Sequence, residues 1–181
     1  LDLDVTWTVA NNGSVDLALH AQRNTVFPEL PRFGLRLFLP QEMSQVNYYG
    51  MGPMECYRDK HHAASHSSYT ATVWQLHEDY IRPQENGSHF DCDYVMLAGD
   101  AVRLTAVGTQ PFSFNASHYT QEELTRKAHN YELEPCGSTV LCLDYAQNGI
   151  GSESCGPRLL EQYRLDDATF NFGLRLFPEK K

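Results

Sequence analysis

The chain has 181 residues, enough for one domain with a substantial hydrophobic core. Hydrophobic residues make up 41% of it, and 23 acidic residues against 14 basic ones give a net charge of −9. This acidic balance argues against nucleic acid and anionic membranes as partners, and no apolar run approaches the roughly 20 residues that span a bilayer.

The first predicted element is a β-hairpin. Residues 5–9 and 15–19 both alternate between apolar and polar side chains, and Asn12-Gly13 lies between them. Residues 1–4 lack Met and the features of a signal peptide, so the chain opens directly in this strand pattern. We therefore expect the chain to be a piece of a longer protein.

Further strand patterns follow along the chain. Residues 33–38 lie between Pro31 and Pro40, and the same hexapeptide, Phe-Gly-Leu-Arg-Leu-Phe, returns at residues 172–177. Because the residues on either side of the two hexapeptides differ, we interpret them as two β-strands with similar sequence requirements and not as a repeat. Other strand-like runs lie at residues 46–49, 90–97, 102–107, 112–115 and 139–145. Many short strands separated by Gly, Pro and Asn predict an all-β sandwich or barrel, in a single domain over residues 1–181.

One segment departs from the strand pattern. Thr120 and Glu123 fit a capping box, and Leu124 and Ala128 follow four residues apart. The sequence therefore predicts one short helix over residues 120–128, crossing between two strands.

The cysteines and histidines give no strong indication of a metal site. The five cysteines are odd in number and include no C-x-x-C pair, so reduced thiols in a cytoplasmic protein are the simplest interpretation. His62 and His66 have the i,i+4 spacing of helical metal ligands, but residues 63–65 favour a polar loop. The five cysteines are Cys56, Cys92, Cys136, Cys142 and Cys155.

Carboxylates are abundant, but no pair stands out as catalytic. A glycosidase needs two carboxyl groups that flank the scissile bond. Asp59, Glu85 and Glu153 lie in glycine-containing turns, where a carboxylate commonly caps backbone N–H groups. We expect a structural role for Asp59 and Glu85.

Three turns require special backbone geometry: residues 49–53, 83–87 and 149–157. The third is rich in Gly and Ser and follows a strong strand pattern. Such a loop can expose its backbone to a ligand, or it can serve as a plain surface connection.

Five motifs occur in order along the chain. They are Leu-Pro-Arg-Phe-Gly at residues 30–34, Tyr-Gly-x-Gly-Pro-x-Glu-x-Tyr-x-Asp at 49–59, Arg-Pro-Gln-Glu-Asn-Gly at 82–87, Phe-Ser-Phe-Asn-Ala-Ser-x-Tyr-Thr at 112–120, and Asp-Tyr with Gly-Ile-Gly and Ser-Cys-Gly-Pro within 144–157. This ordered set resembles the small-chain, C-terminal domain of the β-galactosidases of glycoside hydrolase family 2. The resemblance covers essentially the whole chain.

The resemblance implies a fold and a set of partners. The fold is an antiparallel super-sandwich similar to that of galactose mutarotases, truncated here at its N-terminal side. The two catalytic glutamates of the family belong to a preceding TIM barrel, as do the sites for magnesium and a monovalent cation. The chain would then carry no catalytic residue, no metal ligand and no cofactor of its own. Its partners would be that barrel, or a separate large subunit, and a galactoside at the boundary. An exposed sheet edge would also favour pairing of two copies.

The resemblance also points to one substrate-facing loop. In well-studied relatives the loop after Gly-x-Gly bears a Trp that closes one side of the galactoside site, and Cys155 occupies that position here. It implies that Ser152, Glu153, Ser154 and Cys155 border the substrate. A Cys cannot stack on a sugar as a Trp does, so the contribution of this position to binding changes.

These observations favour a non-catalytic domain of an enzyme that hydrolyses terminal β-D-galactosides such as lactose. Two alternatives stay open. A mutarotase-like aldose epimerase needs a His and a carboxylate that converge on one concave face, and no mutarotase motif is recognisable. A free-standing carbohydrate-binding module needs exposed aromatic side chains on one sheet face, whereas most aromatic residues here alternate as core residues do.

Overall fold

The computed structural model describes residues 1–27, 29–148 and 157–181. Within them the chain forms nine β-strands, one α-helix and three short 3-10 turns. The strands are β1 (Asp2–Val9), β2 (Val15–Gln22), β3 (Arg32–Pro40), β4 (Gln45–Gly52), β5 (Ser65–Thr72), β6 (Ser88–Ala98), β7 (Val102–Ser117), β8 (Ser138–Gln147) and β9 (Thr169–Lys180). The helix is α1 (Gln121–Arg126), and the 3-10 turns are Val73–Leu76, Asn130–Glu132 and Glu161–Tyr163. The predicted all-β class with one short helix is confirmed.

The strands form one antiparallel sheet that forks at β7. Along the main path the order is β1-β2-β9-β7-β6-β4-β5. Off this path, β8 pairs with β7 and also with β3. Residues 102–108 of β7 pair with β9, whereas residues 113–117 pair with β8. One strand therefore exchanges its neighbour partway along its length, and β8 and β9 diverge from that point.

One connected hydrophobic core draws on both branches of the fork. Its largest fully buried side chains include Tyr48, Phe112, Phe114 and Phe172. His89 belongs to the same core, with its ring 4.6 Å from the Tyr48 ring and 5.1 Å from the Phe114 ring. Burial lowers the pKa of His89 to about 4, so this imidazole is neutral at pH 7.

The predicted hairpin is confirmed. Strands β1 and β2 pair in register from Val9 opposite Val15, and Gly13 supplies the positive φ of 84° that the turn requires. Both copies of the repeated hexapeptide are also strands, as predicted, in β3 and β9.

Four features differ from the sequence prediction. Residues 49–52, which were predicted to belong to a turn, continue strand β4 because they pair with β5 as far as Gly52 opposite Ser65. Residues 102–107 and 112–115 are parts of one strand, β7, because the ladder with β6 continues past an irregular stretch. Strand β5 was missed because it is an edge strand with polar, exposed side chains. The helix ends at Arg126, and only half of its capping box forms: the Thr120 hydroxyl accepts from the Glu123 N–H at 3.1 Å.

The Glu123 carboxylate accepts a hydrogen bond from the backbone N–H of Glu134 at 3.0 Å.

None of the helices in the described part of the chain has the length and apolar character that a bilayer crossing requires.

Candidate functional site

The turn over residues 82–87 is the point at which the motif segments meet. Gly87 has a φ of +70°, and a Cβ atom on it would lie 2.3 Å from the carbonyl oxygen of Leu76, so only glycine fits there. The side-chain amide of Asn115, on β7, donates to the carbonyl oxygen of Asn86. Two of the five motifs are thus joined directly by a hydrogen bond from a side-chain amide to a backbone carbonyl oxygen.

Glu55 fastens a third motif to the same turn. Its buried carboxylate accepts from the backbone N–H of Gly87 at 2.9 Å, from Lys60 Nζ at 2.8 Å and from the Tyr57 hydroxyl at 3.2 Å. The Tyr80 hydroxyl also donates to it. Burial would raise the pKa of Glu55, but the hydrogen bonds from Lys60, Tyr80 and Gly87 outweigh burial and hold the pKa below its usual value.

Arg32 brings together the remaining two motifs. Its guanidinium binds both carboxylate oxygens of Asp144, at 2.9 and 2.6 Å, and one oxygen of Glu85 at 2.8 Å. Gly34 leaves the space for this contact, since a Cβ atom there would lie 2.3 Å from Asp144 Oδ1. Gln147 donates to Asp144 Oδ2 at 3.2 Å and to the Ser88 hydroxyl at 3.1 Å.

These carboxyl groups anchor the motif segments to one another. Burial raises the pKa of both Glu85 and Asp144, and the charge of Arg32 opposes that rise. Both share one guanidinium, and the Glu55 carboxylate accepts four hydrogen bonds. Removing any one of the partners would leave a buried polar group unsatisfied, which explains why the five motifs act as one structural unit.

A pocket of about 290 Å³ opens beside this unit. Its walls come from the turn after β4, from β6, from the middle of β7 and from the end of β8. The residues that line it are Tyr57, Arg58, Ser88, Phe90, Asp91, Gln110, Pro111, Phe112, Ser113, Tyr145, Ala146 and Gln147. The loop that begins after Gln147 is the one for which the resemblance implies substrate contact, so the pocket adjoins its start.

The predicted site residues Ser152, Glu153, Ser154 and Cys155 lie outside the described residues. Glu85 takes the structural role expected for it, through Arg32.

The histidine pair does not share a helix, because His66 lies on strand β5, where its Nε2 is 3.0 Å from the carbonyl oxygen of Asp91. The cysteines of the described ranges are free thiols, buried at Cys56, Cys92 and Cys142 and exposed at Cys136. Within residues 1–27, 29–148 and 157–181, no three His, Cys, Asp or Glu side chains are grouped so as to hold a metal ion.

Sequence reasoning missed the chemical roles of Glu55, Arg32 and Asp144. All three stand inside the motifs that carry the resemblance, so the signal was present, but motif matching alone does not say which side chains contact one another.

Comparison with known proteins defines the class of this all-β domain. The beta galactosidase small chain family matches residues 1–176. The chain therefore belongs to the β-galactosidase small-chain family.

Individual relatives support the same assignment. A β-galactosidase of Actinobacillus pleuropneumoniae is 47% identical over 180 residues, which cover 99% of this chain and 18% of the relative. The β-galactosidase of Staphylococcus xylosus is 42% identical, covering 95% and 17% respectively. That of Arthrobacter sp. (strain B7) is 34% identical, covering 90% and 16%. The chain thus spans less than a fifth of the length of these relatives.

Proposed function

We propose that the chain is a non-catalytic domain of a cytoplasmic β-galactosidase, and that it helps to form the substrate cleft for terminal β-D-galactosides such as lactose. The observation that carries the proposal is the match of residues 1–176 to the small-chain family, together with relatives that are several times longer. The catalytic glutamates, magnesium and the monovalent cation then belong to a barrel domain or large subunit. The anchoring role of Glu55, Glu85 and Asp144 is consistent with this division of labour.

An apolar strip on β1 supports docking onto the rest of such an enzyme. Leu3, Val5, Trp7 and Val9 share one face of the strand and are 45, 46, 50 and 72% exposed. In register they lie opposite β2 residues, with Trp7 across from the buried Leu17, so the strip continues a face that is already part of the core. Large apolar surfaces of this kind usually mark protein contacts. We assign this face to the remainder of the β-galactosidase.

The first test is hydrolysis of o-nitrophenyl β-D-galactopyranoside by the purified chain alone. We expect no turnover above the uncatalysed rate, because the carboxyl groups at the motif junction are engaged by Arg32, Lys60 and backbone N–H groups. Turnover that persists through purification and scales with the chain would contradict the proposal.

The second test concerns the loop that carries Ser152, Glu153, Ser154 and Cys155, which we propose borders the galactoside. In the full-length enzyme, Cys155→Trp should change the KM or the leaving-group preference, because an indole offers a large face for stacking on a sugar. Cys155→Ser keeps the size of the side chain and should leave both parameters nearly unchanged. A silent Trp variant combined with an inactive Ser variant would show that this loop has another role.

A further inference from the structure

His89 is an ionisable side chain held inside the hydrophobic core. It lies on β6 and is 1% exposed, between the ring of Tyr48 on β4 and the ring of Phe114 on β7. The Phe114 ring stacks on the imidazole, with 27° between the two planes. An imidazole packs in this way only while it is neutral, because burying an unpaired cation costs far more than burying an uncharged ring.

The contacts of the two ring nitrogens fix where the neutral imidazole carries its proton. Nδ1 lies 3.3 Å from the carbonyl oxygen of Met51 and 3.1 Å from the hydroxyl oxygen of Tyr48. A carbonyl oxygen can only accept, so Nδ1 carries the hydrogen. Nε2 is buried and has no hydrogen-bond partner in the described part of the chain. A second proton, which would have to bind at Nε2, would create a buried N–H group without an acceptor there.

The ionisable groups around the ring do little to stabilise an imidazolium. Burial raises the pKa of the Tyr48 hydroxyl and of the Cys92 thiol, whose Sγ lies 3.5 Å from the carbonyl oxygen of His89, so both groups are neutral. The charge of Glu55 favours protonation of His89, but four hydrogen-bond donors already engage that carboxylate. Burial has the largest effect and lowers the pKa of His89 from 6.5 to about 4.

His89 also lies where segments of different motifs meet. Met51, whose carbonyl oxygen contacts the ring, belongs to the motif at residues 49–59. The carbonyl oxygen of Ser88, the residue before His89, accepts from the backbone N–H of Cys56 at 2.8 Å, and its hydroxyl accepts from Gln147 at 3.1 Å. Displacing the ring from the core would therefore disturb the contacts of β6 with the segment that follows β4 and with β8.

We propose that His89 is an acid-sensitive switch, which keeps β4, β6 and β7 packed together in neutral solution and allows them to separate in mildly acidic solution. As the pH falls, the ring binds a proton in molecules in which it has left the core, so the open form gains stability relative to the closed form. The loss of stability begins near pH 6.5 and is complete near pH 4. Such a response to pH goes beyond the accessory role proposed above.

The test compares urea unfolding of the unmodified chain and of His89→Asn, whose amide keeps a donor close to the position of Nδ1. Between about pH 7.5 and about pH 5, the ratio of unfolded to folded molecules should rise about 30-fold more in the unmodified chain than in the variant. The reason is that only the unmodified chain has the buried histidine that gains a proton on unfolding.

His20→Asn is the matched control, since His20 is exposed and its Nδ1 lies 2.9 Å from Oδ1 of Asn171. It should lose stability between the two pH values as the unmodified chain does.

Long-range ¹H–¹⁵N spectra of the histidine-labelled, unmodified chain give a second measurement that needs no variant. The His89 ring, identified through its contacts with the Phe114 ring, should keep the Nδ1–H tautomer without titrating from neutral pH down to about pH 5. The proposal is overturned if His89 takes up a proton in the folded chain near its ordinary pKa, or if the folded His89→Asn variant keeps the full pH dependence. Neither result bears on the hydrolysis assays, which test the accessory role separately.

Discussion

Glu55 shows how much of the motif junction depends on one side chain. Its carboxylate lies 2.9 Å from the backbone N–H of Gly87 and 2.8 Å from Lys60 Nζ, and it also accepts from the hydroxyls of Tyr57 and Tyr80. It therefore connects the segment after β4 with the turn that precedes β6.

Glu55→Ala should lower the free energy of unfolding by about 3 kcal/mol, because it strands one buried N–H group and two hydroxyls without an acceptor. Glu55→Gln, which keeps the shape and one acceptor oxygen, should cost less. The control is Glu78→Ala, which truncates an exposed glutamate close in sequence to Tyr80. Urea unfolding measures all three. Equal stability of the Glu55→Ala and Glu78→Ala variants would show that Glu55 does not hold the junction.

The contribution of Glu55 to the free energy of unfolding should depend on pH. Because the pKa of Glu55 is held below its usual value, its contribution is complete at neutral pH and is lost as the pH falls through that lowered pKa. The difference in unfolding free energy between the unmodified chain and Glu55→Gln should therefore shrink towards acid.

At the scale of the element, the repeated hexapeptide shows what sequence can and cannot predict. Residues 33–38 and 172–177 are identical and both form strands, as the alternation predicts. In β9, which lies between β2 and β7, Leu174 is buried. In β3, which among the described strands pairs only with β8, the equivalent Leu35 is only partly buried. Local pattern thus predicts the type of element, whereas burial depends on neighbours that are distant in sequence.

In the candidate site, too, local pattern predicts some features and not others. Of the motif turns, the one over residues 83–87 was predictable, because Pro83 and Gly87 mark it directly, whereas residues 49–52 continue strand β4 by pairing with β5. The pocket was not, since its walls on β6 and β7 adjoin register shifts that no local pattern indicates.

We predict that strand β1 mediates self-association of the isolated chain. In the described chain it pairs only with β2, so its outer edge and its apolar strip are both available for contact. The isolated chain should self-associate with rising concentration, and Trp7→Lys should reduce that association without altering the fold. Thr6→Lys introduces the same charge on the opposite face and should have less effect. Sedimentation velocity measures this, and a chain that stays monomeric at high concentration would remove β1 as a contact surface.

At the scale of the whole molecule, five motifs in order were enough to predict the family, and their contacts explain why the order matters. Arg32, Glu55, Glu85, Asn115 and Asp144 come from five segments and meet around one turn. The partner that we propose for this domain could not be derived in the same way, because motif contacts can be derived only for residues of this sequence.

The most direct measurement is the hydrolysis of o-nitrophenyl β-D-galactopyranoside by a chimeric enzyme. In it, this chain replaces the corresponding region of the Actinobacillus pleuropneumoniae β-galactosidase, which is 47% identical over 180 residues. We expect the relative without this region to be inactive and the chimera to regain hydrolysis. A folded chimera as inactive as the deletion, or a deletion variant that keeps full activity, would contradict a role for this domain in the substrate cleft.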